Sequence, residues 1–346
     1  MTYRFILLLL FVFALLAAPL NAAEKTKTVP AAPKEATRAP SGLANKKIAA
    51  NSILIEFPGR HKGKPITSGG FLLLPPGKDK VPVMVIVHGS GGVSKEHEYW
   101  YAEELNKMGV AAFILDCYTP RGVATTYDDQ SLVSATKDMT NDALMALRAL
   151  SKNDRIDIQR AGIVGFSKGG IVATLTALPM WGFQFPAYSA DLKYKLHVMF
   201  YPGCATQPFD LRTTAMPMLM LLAENDTYTG KESCLKLADK MKKGGAHINT
   251  IVYPSVTHAW DTNGPWSHPK AEVFKNCVFE QQKNGTWTES FSNTADIRTD
   301  LGGDNYAKAL KACLTYGVKG EGHPMTKAKS MEEFKRIVKE VLIMGK

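Results

Sequence analysis

Residues 161–171 read AGIVGFSKGGI. An apolar run leads into one serine, Ser167, with Gly165, Gly169 and Gly170 around it. This is a G-x-S-x-G pattern where a strand meets a helix, the setting in which a sharp turn lifts a serine hydroxyl clear of a sheet. The chemistry it could support is nucleophilic attack on a carbonyl. The backbone N–H of Lys168, at the first turn of the helix, would then face the oxygen that gains negative charge. The competing reading is a glycine-rich turn with an incidental serine.

A serine hydroxyl is a weak nucleophile without a base. The chain has eight histidines, and His258 in YPSVTHAW falls on a loop just past the last clear strand. His197 lies within a strand pattern and His247 begins one. His61 and His97 precede the nucleophile, and His268 and His323 stand in irregular sequence. His88, in VIVHGSGG, reads as a brace for its own loop. The acid that would orient His258 is Asp226 in LLAENDTYT, with Glu224 and Asp261 as alternatives. The order Ser167, Asp226, His258 is that of an α/β-hydrolase triad. A second oxyanion donor is expected from Ser90 or Gly91, where Gly89, Gly91 and Gly92 let the main chain come close to a substrate oxygen. For substrate binding, Arg121 in YTPRG could hold a carboxylate or form an ordinary loop ion pair. Trp181 in PMWGFQFPAY and Trp260 beside His258 could wall a pocket or simply pack. The spacing calls for no metal or organic cofactor.

These residues need a frame. NSILIEF (51–57) and GGFLLLP (69–75) read as a hairpin-like start. VPVMVIVHG, VAAFILDCY, AGIVGF, KLHVMFYP, PMLMLLAE and HINTIVYP read as buried strands, since continuous apolar runs of this length suit strands covered on both faces. Amphipathic stretches at 97–109, 131–151, 168–178 and 231–243 alternate with them. The pattern predicts an α/β fold with a mostly parallel central sheet flanked by helices. Residues 260–302 break the rhythm and read as a small insertion, with Asn284-Gly285 marking a hairpin. Ser330 and Glu333 read as a capping box opening the last helix.

VIVHGSGG, LDCYTPRG, RIDIQRAGIVGFSKGG, LLAENDTYT and YPSVTHAW together resemble the dienelactone hydrolase family of α/β-hydrolases, over about residues 50–260 and part of the C-terminal helical region. The resemblance implies an eight-stranded type of sheet and a nucleophile–Asp–His triad at Ser167, Asp226 and His258. The founding enzymes have cysteine where this chain has Ser167. They also carry a glutamate where it has His88-Gly89-Ser90. The expectation is therefore a serine hydrolase acting on a small-molecule carboxylic ester or lactone. A peptidase of the same fold, or a hydrolase-fold binding protein with a silent triad, are the alternatives.

Composition bounds the setting. The chain has 346 residues and a formal net charge of +10. Half of that charge sits on Arg4 and residues 24–47. No run of Lys and Arg interleaved with aromatics follows, which argues against nucleic acid as a partner. Residues 1–23 hold one basic residue, an apolar run from Phe5 to Leu16 and small residues ending at Ala22 and Ala23, the pattern of a signal peptide; an uncleaved anchor is the competitor. Residues 24–47, rich in Ala, Pro, Thr and Lys, read as a flexible tether. The hydrolase domain is then 48–346, with no membrane span after cleavage, in a periplasmic or secreted protein. Five cysteines leave one unpaired. The expected pairs are Cys204 with Cys234 and Cys277 with Cys313, a reduced core cysteine being the alternative at 313, with Cys117 free and buried.

Overall fold

Strand β3 (Val81–Val87) shows how the core is built. In the computed structural model, Val83, Val85 and Val87 face one side of the central sheet, and Met84 and Ile86 face the other. All five are fully buried. Side chains alternate across a strand, so a run that is apolar at every position needs cover on both faces. The structure describes residues 41–46, 51–182, 189–289 and 304–345, without the side chains of 181 and 304–308. The expected signal peptide lies outside the described residues, as does the tether apart from 41–46.

The first half of the chain runs β1 (Ile53–His61), β2 (Lys64–Leu73), β3 (Val81–Val87), α1 (Trp100–Lys107), β4 (Ala111–Asp116), α2 (Thr140–Leu150), β5 (Ile156–Phe166) and α3 (Lys168–Leu175). It continues through α4 (Pro179–Gly182), β6 (Leu196–Phe200), β7 (Thr206–Gln207), β8 (Met218–Ala223), α5 (Lys231–Lys243) and β9 (Ile248–Tyr253). Eight strands form one sheet in the order β1-β2-β4-β3-β5-β6-β8-β9. Pairing is antiparallel from β1 to β2 and from β2 to β4, and parallel from β4 through β3, β5, β6 and β8 to β9. Residues of α2, α3 and α5 join the core on one face, and those of α1 and the last helix join it on the other. This is the α/β-hydrolase arrangement. Among the described residues no helix is long and apolar enough to cross a membrane.

The C-terminal part adds β10 (Pro265–Val273), β11 (Phe279–Gln281), β12 (Trp287–Glu289), α6 (Asp304–Cys313), β13 (Thr315–Glu321) and α7 (Pro324–Val338). β11 and β12 pair across the Asn284-Gly285 turn, and β11 also pairs with β7. β10 pairs with β13, a two-stranded sheet that local pattern did not announce. Polar and apolar residues do not alternate cleanly there, and Tyr316 is exposed. Cys204–Cys234 and Cys277–Cys313 form disulfides, and Cys117 is free and buried.

The start of α7 corrects the sequence reading. Pro324 occupies its first turn and His323 caps it, with the His323 Nδ1 accepting the Thr326 N–H at 3.2 Å. Ser330 lies inside the helix, fully buried, and accepts the Trp260 indole N–H at 3.1 Å. A Ser-x-x-Glu pair can satisfy helix-start amides only when the serine is outside the helix. Here His323 and Pro324 open the helix earlier in the chain, before Ser330 is reached.

Candidate active site

The turn that carries Ser167 is set by backbone crowding. A Cβ on Gly165 would lie 2.0 Å from the Gly169 carbonyl oxygen, and one on Gly169 would lie 2.1 Å from that of Val87. Only glycine fits at both, so β5 can pass directly into α3. Ser167 sits between them at φ 52° and ψ −111°. Such a conformation costs a non-glycine residue about 1–3 kcal/mol and persists only where the surroundings impose it. The Ser167 N–H donates to the Phe200 carbonyl at 2.9 Å, and the Gly170 N–H donates to the Ser167 carbonyl at 2.9 Å.

Two later strands bring the partners to the same rim. The loop after β9 carries His258, whose Nε2 lies 2.9 Å from Ser167 Oγ. The loop after β8 carries Asp226, whose Oδ2 lies 2.8 Å from His258 Nδ1. The carboxylate fixes the tautomer: Nδ1–H donates to Asp226, which leaves Nε2 as the acceptor facing the Ser167 hydroxyl. Asp226 also accepts the N–H groups of Tyr228 at 2.8 Å and Thr229 at 2.9 Å, and the Thr229 hydroxyl at 2.8 Å. Burial pushes this carboxyl's pKa up, but His258 and the donors from Thr229 outweigh it and hold it at about 2. All three residues are buried, Ser167 least so at 8 % exposure. The rings of Tyr201 and Tyr228 stand edge-on to the imidazole at 4.7 and 5.0 Å, and Trp266 lies 6.3 Å away.

The alternative acids are used elsewhere. Glu224 accepts the Ser255 N–H at 2.9 Å. Asp261 accepts the hydroxyls of Tyr101 and Tyr201, both at 2.7 Å, and contacts His97 Nε2 at 3.1 Å.

The loop after β3 lies against Ser167: a Cβ on Gly89 would stand 3.4 Å from that of Ser167. His88 braces it. Its Nδ1–H donates to the Gly89 carbonyl at 2.8 Å, and its Nε2 accepts the Cys117 N–H at 3.1 Å. Burial lowers its pKa, in keeping with a neutral ring. Among the described residues the amides of Lys168, Ser90 and Gly91 donate to no backbone carbonyl.

Two expected substrate contacts are corrected. The Arg121 side chain is fully buried and paired with Asp142 at 2.6 Å. It also donates to the carbonyls of Cys117 and Arg60. With its Nη1 and Nη2 bonds made inside the fold and its side chain shut off from solvent, the guanidinium has no fork to offer a substrate carboxylate. Trp260 is completely buried between Phe200, Tyr201 and Tyr253 and lines no open space. The Trp181 side chain lies outside the described residues, as do Phe183, Phe185 and Tyr188. The aromatic groups placed near the triad are instead Tyr201, Tyr228 and Trp266. Beside the Gly91 turn, Tyr127 stacks on His268 with ring centres 3.6 Å apart. The sequence reading missed this group and the His97–Asp261 contacts. Tyr201, at φ 37°, is strained in a way no local pattern advertises.

Comparison with known proteins bears on kinship. Protein usf of Aquifex pyrophilus is 25% identical over 192 residues, covering 50% of this chain and 77% of that one. A thermophilic esterase from the planctomycete Thermogutta terrifontis superposes with a TM-score of 0.49 at 15% identity, covering 63% of this chain and 86% of that one. A carboxylesterase from Lactobacillus plantarum gives 0.46 at 16% identity, covering 60% and 85%. The model of the dienelactone hydrolase family matches residues 69–276. Because that match runs from β2 through Ser167, Asp226 and His258 to beyond the last strand of the main sheet, the chain belongs to the dienelactone hydrolase family and is a carboxylic ester hydrolase of α/β-hydrolase fold.

Proposed function

We propose that the chain is an exported serine hydrolase that cleaves small carboxylic esters or lactones through an acyl-enzyme. The observation that carries this is the unbroken run of contacts from Ser167 Oγ to His258 to Asp226, at 2.9 and 2.8 Å. His258 Nε2 takes the proton as Ser167 Oγ attacks the carbonyl carbon. The negative oxygen is held by the amide of Lys168 and that of Ser90 or Gly91, each donor being worth about 3 kcal/mol in the transition state. The imidazolium, stabilised by Asp226, then protonates the leaving alcohol. Water, activated by the same imidazole, releases the acid and restores the serine.

The first test is labelling of the mature chain by a fluorophosphonate probe, with turnover of short-chain p-nitrophenyl esters. The wild type is expected to label and turn over, and Ser167→Ala to do neither. Equal turnover by wild type and Ser167→Ala across a broad ester panel would sink the proposal. Export is supported by the apolar segment at 5–16 and by two disulfides, which persist in oxidising compartments. Mass spectrometry of protein made in its native host should find a chain beginning after Ala22 or Ala23 with both pairs oxidised. A full-length reduced chain would contradict export.

A further inference from the structure

Lys168 presents two groups to the site, its amide and a side chain that is also buried. The ammonium donates to the Thr126 hydroxyl at 3.1 Å and the Gln130 carbonyl at 3.0 Å, and stands 5.9 Å from the Tyr118 ring centre. Among the described residues it forms no ion pair. Burial pushes its pKa down to about 7 and outweighs the opposing influence of Cys117, Asp129, Asp138 and Glu272. A buried cation without a carboxylate weakens a fold, and an apolar side chain of similar length would pack there at lower cost. Its presence calls for a reason other than stability.

The reason lies in what its two acceptors hold. The Thr126 N–H donates to the Ser90 carbonyl at 2.9 Å. The Gln130 side-chain amide donates to the Ser90 hydroxyl at 3.0 Å and the Tyr228 hydroxyl at 3.2 Å. The Tyr228 N–H donates in turn to Asp226 at 2.8 Å. The Gln130 N–H reaches Glu272 of β10 at 2.7 Å. The segment 126–130 thus joins the oxyanion loop, the acid loop and β10, and Lys168 ties it to the nucleophile turn.

We propose that the Lys168 side chain is a positioning group that sets the spacing of the two oxyanion donors, its own amide and that of Ser90 or Gly91. One residue supplies a donor through its main chain and locates the other through its side chain. The inference rests on the serine-esterase reading of this site. A donor displaced by about 1 Å costs on the order of 10²-fold in rate.

Lys168→Met tests this, since it keeps the amide and the length of the stem but removes the charge. We expect kcat to fall by about 10- to 100-fold with KM nearly unchanged. Affinity for phenylboronic acid, which forms a tetrahedral adduct on the serine, should fall by a matching factor. The melting temperature should hold or rise. Thr126→Val, which removes one acceptor, should move kcat and boronate affinity the same way by a smaller factor, and it decides the matter if Lys168→Met does not fold. Unchanged kcat overturns the proposal. So does a fall in kcat without a fall in boronate affinity, or a loss of activity that only follows a lowered melting temperature. A wild type that neither turns over esters nor labels with fluorophosphonate overturns the esterase reading as well. An active wild type matched by its variants overturns the positioning role alone.

Discussion

Two histidines, His258 buried and His97 partly buried, occupy neighbouring parts of this molecule and are set up for opposite behaviour. His258 has a carboxylate at Nδ1 and a hydroxyl at Nε2. His97 has a carboxylate at each nitrogen, Glu98 at 3.0 Å and Asp261 at 3.1 Å. Burial alone would strip the proton from His97, but the two carboxylates outweigh it and raise its pKa to about 10. A ring between two acceptors must donate at both nitrogens, so it is a fixed cation with no lone pair to offer. A ring between one carboxylate and one hydroxyl keeps an acceptor nitrogen facing that hydroxyl. The chemical difference between the two rings is one partner, a second carboxylate at His97 and a hydroxyl at His258. Tyr201 joins the two sites, with its ring on His258 and its hydroxyl on Asp261. The His97 cluster therefore pins the loop from which His258 projects.

This contrast can be broken most sharply at Asp226. Asp226→Asn should leave the shape of the site intact but favour the wrong tautomer of His258, lowering kcat by about 10⁴-fold. Steady-state ester hydrolysis reads it, and a loss below tenfold would mean that Asp226 does not orient the base. The matching change at His97 should act on folding. His97→Gln leaves Glu98 and Asp261 buried without their cation, and should cost about 3–5 kcal/mol of unfolding free energy in urea at neutral pH. The kcat of the folded fraction should stay within about tenfold. A kcat loss as deep as that of Asp226→Asn would erase the distinction between the two rings.

The pH dependence of stability carries the smallest expected effect. The folded-state pKa of His97 lies above its ordinary value of 6.5, so its contribution is complete below 6.5 and is lost as pH rises through about 10. Asp226 runs the other way: its contribution is present above the ordinary carboxylate value and is lost as pH falls toward 2. Urea midpoints of the wild type should therefore decline between pH 7 and 10, and His97→Gln should flatten that decline. Parallel curves for the two proteins would count against a cationic His97.

Arg121 and Cys204 show where sequence reading succeeds and where it stops. Cys204 and Cys234, and Cys277 and Cys313, are bonded as the sequence suggested. In each pair a loop cysteine meets one on a helix, and the alternation of strands and helices was readable from apolar runs. Arg121 was placed correctly on a loop past β4, yet it turns inward to Asp142 rather than outward to a ligand. Position along an element follows from local pattern. The direction of a loop side chain depends on which partner another segment delivers. The same limit applies to Trp260, which faces the core, and to Ser330, which lies within α7 rather than before it.

The amino-acid order by itself determined the strand–helix alternation, the glycine-flanked serine between β5 and α3, and the succession Ser167, Asp226, His258. Each of these is written in local periodicity or in a steric need for glycine. Only the tertiary structure decided that Asp226 rather than Glu224 or Asp261 meets the imidazole. It alone set His97 between two carboxylates, and the Lys168 side chain against Thr126 and Gln130. Those outcomes turn on hydrogen bonds of about 3 Å between residues far apart in the chain. No local pattern specifies such a distance; the packing of the sheet and its loops does.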